Sequence, residues 1–255
     1  MKYLRPLAIA ALFLGCSCIS GAQTEVTLIG PGGIRAAVDK LTPGFEQKTG
    51  DKLKATFASG GGSHKQVVSG GDFDVPIVQP PYDDVIASGN VVPDSKKTLC
   101  SVSVGVAVKA GSPKPDISTA DAVKKMLLNA KSIAYPDASG GAAAGVSFNE
   151  TLKKLGIFDE MQPKIKHASG GAGAMQLVAK GDVEIGLTFL SEMDTTPGLD
   201  VVGPLPRDIS PPTLLVGFVS AHAKDPAAAK ALLDYLSSPA AAKVYKELRM
   251  NPGDK

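Results

Sequence analysis

Four glycine-rich runs are placed where the backbone itself could bind a ligand: Gly30–Gly33, Gly60–Gly62, Gly140–Gly141 and Gly170–Gly173. Each follows a short β-branched stretch and precedes a segment with the i, i+3, i+4 spacing of an amphipathic helix. A helix that begins there presents unpaired N–H groups and about half a unit of positive charge, and glycine lets a ligand come close to them. One such turn is ordinary. Four of them suggest helix N-termini converging on an anion. The candidate ligand-binding positions are Gly32, Gly33, Gly60, Gly61, Gly145 and Gly171, with Ser59, Ser139 and Ser191 beside them. Arg35, at the start of the first helix, adds a guanidinium able to fork onto a carboxylate, although a solvent-facing arginine is the plainer alternative. Should the site also move protons, His64, His167 and Glu192 are the candidates, each of which could equally be structural or solvated. His222 falls on the opposite side and is set aside.

Other chemistries are missing. The chain has no Walker A sequence, no His-Glu-x-x-His, no Cys-x-x-Cys and no EF-hand loop. Its three histidines are too scattered for a metal site, so neither metal nor cofactor is expected. The pairs Lys124-Lys125 and Lys153-Lys154 read as solvated helix faces.

The turns need strands and helices to hold them. Val26–Ile29, Lys54–Phe57 and Asp74–Val78 read as strands, and Ile34, Ala37, Val38, Leu41 and Phe45 share one helical face, with Pro43 expected to kink or interrupt it. Ser101–Val108 reads as a longer strand, after which the alternation restarts. Ser118 is expected to cap the next helix. Asp225-Pro226 and Ser238-Pro239 open two final helices that have no sheet of their own to cover. Strands alternating with helices imply an α/β protein with mainly parallel sheets. The expected architecture is two lobes, each a sheet flanked by helices, joined by crossing strands that act as a hinge. A leader would span 1–22, the first lobe 23–106, the second 107–190, and a return to the first 191–255.

The 255 residues, 44% of them hydrophobic, can build real cores, although aromatics supply only 5%. The basic start Met1–Arg5, the apolar run Leu7–Leu14 and the small residues Ser20-Gly21-Ala22 read as a cleaved export signal. The apolar run is too short to span a bilayer. Gly15-Cys16 raises a lipoprotein alternative, which Phe13 and Leu14 fit poorly. Removing Lys2 and Arg5 from 27 basic residues leaves 25, equal to the 25 acidic ones. A neutral exported chain without a basic tract is a poor nucleic-acid binder. Cys100 would then be the one remaining thiol, expected to be buried and inert.

Several segments resemble the periplasmic type II solute-binding proteins of the molybdate-binding class: Phe45–Gly50, Phe57–Ser59, Ala144–Val146, Leu155-Gly156, Gln176–Val178, Gly186-Leu187 and Ser191-Glu192. The resemblance covers nearly the whole mature chain. It implies two lobes joined by a hinge, closing on one oxyanion, and delivery to the permease of an ABC importer; the chain is expected to act as a monomer. At the site the likeness thins. Gly32-Gly33 stand where these binders place a serine, a second serine falls near Gly60, and a tyrosine is matched by Phe189. An unmet buried hydrogen bond costs about 1–3 kcal/mol, so losing three hydroxyls points away from molybdate. Together with Arg35 this suggests a small organic di- or tricarboxylate. Gly32–Ile34, Lys114–Ser118, Ala134-Tyr135, Ser191-Glu192 and Pro197–Gly203 also resemble periplasmic aconitate isomerase, an enzyme on the same fold. Three functions are therefore carried forward: a carboxylate receptor, an aconitate isomerase, and a molybdate or tungstate receptor.

Overall fold

A computed structural model of the chain describes residues 23–194 and 196–253. The segment 1–22, expected to be an export signal and holding Cys16 and Cys18, lies outside these residues. The strands form two sheets. The first contains β1 (Glu25–Pro31), β2 (Lys52–Ala58), β3 (Val75–Val78), β4 (Val91–Val102), β10 (Thr213–Ser220) and β11 (Asn251–Pro252). Their order is β11-β4-β10-β3-β1-β2. The second contains β5 (Val104–Lys109), β6 (Ile133–Pro136), β7 (Ile165–Ala168), β8 (Ile185–Phe189) and β9 (Leu199–Pro204), in the order β7-β6-β8-β5-β9. In each sheet three strands run parallel, β1 with β2 and β3, and β6 with β7 and β8. The remaining strands pair antiparallel.

The chain passes between sheets twice. The stretch that reads as one strand over 101–108 is divided at Ser103, with β4 ending in the first sheet and β5 starting the second. The chain returns through residues 205–212, between β9 and β10. The segment 191–255 therefore does not lie wholly in the first lobe, because β9 pairs with β5 in the second sheet.

The helices are α1 (Arg35–Thr49), α2 (Gly60–Val68), α3 (Asp83–Ala87), α4 (Ala120–Asn129), α5 (Ala143–Lys154), α6 (Phe158–Met161), α7 (Gly170–Lys180), α8 (Leu190–Met193), α9 (Pro226–Leu236) and α10 (Pro239–Glu247). A short 3-10 turn, Gly32–Ile34, precedes α1. Pro43 does not interrupt α1, which continues through it to an αL stop at Gly50. Its missing N–H would have bonded Asp39, an exposed residue whose carbonyl can turn to water. The cap of α4 is Thr119, whose hydroxyl accepts from Ala122 N–H, and not Ser118.

The apolar face read on α1 is the buried one: Ala37, Val38, Leu41 and Phe45. The final helices pack on the first lobe, α9 against β1, β3 and β10, and α10 against α1. Tyr245 of α10 is buried and donates its hydroxyl to the Leu236 carbonyl at 2.7 Å. Cys100 is a buried free thiol, its ionisation pushed far up by desolvation. At the end of the first sheet away from the glycine turns, the Asp74 carboxylate accepts from Thr27 N–H at 2.8 Å, Thr27 O–H at 2.7 Å and Lys224 N–H at 2.8 Å. That one buried side chain ties β1, β3 and the approach to α9 together.

Candidate functional site

Parallel strands point their carboxyl ends at the same edge of a sheet, and the helices that follow begin there. In this fold the two sheets turn those edges toward each other. Between them lies a cleft of about 760 Å³ that all four glycine turns reach, through Gly32 and Gly33, Gly60, Gly140, and Gly170 and Gly171. The first two turns come from the first lobe and the last two from the second.

Three of the four helix starts at the cleft lack a side-chain cap, a property they share with α3 and α6 elsewhere in the fold. At Pro31, before the 3-10 turn, at Ala142, before α5, and at Ser169, before α7, no side chain caps the helix start. Away from the cleft, α4, α9 and α10 are capped by Thr119, Asp225 and Ser238. Of the helices opening on the cleft, α2 is capped, by Ser59, whose oxygen accepts from Gly62 N–H at 3.0 Å. Uncapped N–H groups of partial positive charge, facing a shared cavity, favour an anion.

Arg35, Ser59, His167 and Glu192 also line the cleft. Arg35 is exposed, with its guanidinium 5.2 Å from the Phe57 ring centroid, and makes no ion pair among the described residues. His167 stands edge-on to Tyr135, with ring centroids 5.1 Å apart, and Tyr135 is fixed by donating to Asn149 Oδ1 at 2.7 Å. Glu192 accepts from the Thr188 hydroxyl at 2.6 Å. Burial pushes its carboxyl above the usual range, opposed by the bonds from Thr188 and the Phe189 backbone.

Other positions singled out in the sequence lie outside the cleft walls, each for a visible reason. Gly61 donates its N–H across to Gly141 at 3.0 Å. A Cβ on Gly145 would lie 2.0 Å from the Pro136 carbonyl oxygen, so this glycine allows α5 to pack on the end of β6. Ser139 turns its hydroxyl to Asp137 at 2.8 Å. Ser191 is buried and donates to the Gly33 carbonyl at 3.0 Å, joining the lobes. His64 pairs with Asp84 at 2.8 Å beside a separate apolar groove.

The cleft also holds residues that the sequence did not advertise. Asp137 lines it, its carboxyl held below the usual range chiefly by the Ser139 hydroxyl. Ser169 supplies a hydroxyl not used for capping. Gln79, just past β3, is buried with an amide nitrogen that has no partner. A lone glutamine after an apolar strand carries no motif, although its place at the carboxyl end of a parallel strand was a usable signal.

Two lobes, two strand crossings and a cleft walled by helix starts define a two-lobe solute-binding protein of the type II periplasmic architecture. The chain belongs to the family of bacterial extracellular solute-binding proteins, whose family model matches residues 26–247. It is similar to the aconitate isomerase of a Pseudomonas species, 33% identical over 258 residues, covering 98% of this chain and 97% of the relative. It is also similar to the molybdate-binding protein ModA of Escherichia coli (strain K12), 26% identical over 250 residues and 96% of each chain. Among solved structures, the periplasmic molybdate-binding protein of Azotobacter vinelandii shares the fold with a TM-score of 0.74. Its identity is 18%, over 90% of this chain and 100% of that one. Among the described residues no helix is long and apolar enough to cross a membrane.

Proposed function

We propose that the cleft captures a small organic di- or tricarboxylate in the periplasm and presents it, as a monomer, to the permease of an ABC importer. The observation that carries this reading is the pairing of uncapped helix starts from both lobes with Arg35 at one cavity. Helix dipoles attract negative charge without regard to its shape, whereas a guanidinium matches the two-oxygen edge of a carboxylate. The side-chain hydroxyls along the cleft are those of Ser59 and Ser169, a sparse set for caging a tetrahedral oxyanion. The similarity to molybdate-binding proteins keeps molybdate and tungstate in the test panel.

A second reading is aconitate isomerisation in the same cleft. It is favoured by the similarity to a protein named aconitate isomerase and by the presence of two proton-transfer groups, His167 and Glu192, on the cleft wall. The reaction needs a base to take an allylic C–H proton, a shift of the electron pair that moves the double bond, and return of a proton at the far carbon. His64, outside the cleft, is not a candidate in this version.

Thermal stabilisation of the mature protein by cis-aconitate, trans-aconitate, citrate, sulfate, molybdate and tungstate tests the ligand class. A ligand at a hundred times its Kd adds about 2.7 kcal/mol. Stabilisation by molybdate and by no carboxylate overturns the first reading. Appearance of cis-aconitate from trans-aconitate at a rate proportional to protein, followed by NMR, establishes the second, and its absence removes it.

A further inference from the structure

Glu192 is an acidic side chain in a cavity otherwise suited to attract negative charge. A Cβ built on Gly32 would meet its Oε1 at 3.4 Å, and one built on Gly171 would meet its Oε2 at 2.4 Å. The carboxyl is therefore lodged between a helix start of the first lobe and one of the second, where an anion would sit. Two carboxyl groups brought together in a desolvated site do not both ionise; they share a proton.

We propose that Glu192 takes one proton from solvent as a carboxylate ligand enters and donates it back as an O–H···O hydrogen bond, so that ligand binding is coupled to proton uptake. This inference rests on the polycarboxylate reading of the cleft. The proton adds to the Glu192 carboxylate, and no bond of the ligand changes. Burial already biases the group toward its neutral form. Three other charged or titratable groups face the cavity: Arg35 from α1, His167 from β7 and Asp137 beyond β6. Arg35 favours ionised Glu192, as does His167 when protonated, and Asp137 favours the neutral form. The ligand's own negative charge acts in the same sense as Asp137. Selectivity follows, because a neutral carboxyl donor suits an anion with a carboxylate edge.

Calorimetric titration with trans-aconitate, in buffers of differing ionisation enthalpy across about pH 6 to 9, counts the protons. The count is taken above about pH 7.5, where the third carboxyl of trans-aconitate is also ionised and contributes no proton of its own. The wild-type protein is expected to take up as much as one proton per ligand. Its affinity should fall by about tenfold per pH unit between the pKa of Glu192 in the free and liganded protein. Glu192→Gln has no carboxylate to protonate, so it should take up no proton and lose the pH dependence of affinity seen in the wild type. His167→Gln should leave uptake in place. Binding by the wild type without uptake overturns the inference while leaving the ligand class intact, as does uptake that persists in Glu192→Gln or vanishes in His167→Gln. Failure of trans-aconitate to bind at any pH, with the thermal panel showing no carboxylate ligand, overturns the ligand class and this inference together. The wild-type proton count decides even if a variant does not fold.

Discussion

The backbone N–H of Gly61, in the first lobe, donates to the carbonyl of Gly141, in the second, at 3.0 Å. The contact is close because neither residue has a side chain. A Cβ on Gly141 would lie 3.1 Å from the Gly61 Cα, and Gly141 has φ +74. Gly141→Val is expected to hold the lobes apart and raise the ligand Kd by about tenfold or more, through backbone strain and lost contact. Small-angle scattering of the variant with ligand should match the open shape. A closed shape with unchanged affinity would show that the clasp does not set closure.

Arg35 is exposed and has no acidic partner among the described residues, so its removal costs the fold little. Arg35→Ala should change stability by no more than about 0.5 kcal/mol. Loss of a charged hydrogen bond to a carboxylate should weaken binding by about 1.5–3 kcal/mol, roughly 10- to 150-fold. Arg35→Lys should recover only part of this, because an ammonium cannot fork. Isothermal titration of the three proteins checks the order.

The raised ionisation of Glu192 also predicts a pH dependence of stability in the ligand-free protein. Between the ordinary glutamate value and the higher folded one, the native state binds more protons than the unfolded chain. Stability therefore falls as pH rises through that window, and the favourable contribution is complete only below it. Chemical denaturation at stepped pH should show a downward slope in wild type that Glu192→Gln removes. Equal slopes in both proteins would assign the effect elsewhere.

Much of the α/β pattern was legible because it rests on local spacing. The inner face of α1 and the four strand–glycine–helix units follow from periodicity and turn chemistry alone. The contribution of β4 was not. Its early residues Asp94, Ser95, Lys96 and Lys97 are polar, since the strand is partly solvent-exposed there, and they carry no apolar alternation to mark a strand. The division at Ser103 was hidden because both flanking strands are apolar and nothing local marks a change of sheet. The wall of the candidate cleft was legible where backbone forms it, at Gly32, Gly33, Gly60 and Gly171. It was not legible for Gln79 and Asp137, which tertiary placement alone brings to the cleft. Gly61 and Gly145 misled because a glycine needed for close packing looks the same in sequence as one opened to a ligand.

Asp74 offers a contrast with the cleft residues. Its carboxylate accepts three hydrogen bonds at the far end of the first sheet. Asp74→Ala leaves the part-buried donors of Thr27 without a partner and should cost about 1–3 kcal/mol in urea unfolding. Ligand affinity of the folded fraction should be unchanged. Weakened binding in a fully folded variant would mean that the two ends of the sheet are coupled.

The most direct examination of an anion held by backbone donors from both lobes is an amide NMR titration with trans-aconitate. The N–H resonances of Gly32, Gly33, Gly60 and Gly171 should shift together and fit one dissociation constant, with Arg35→Ala weakening all four alike. If trans-aconitate binds while these glycines stay still, or if those of one lobe alone respond, the ligand is not held between the four turns.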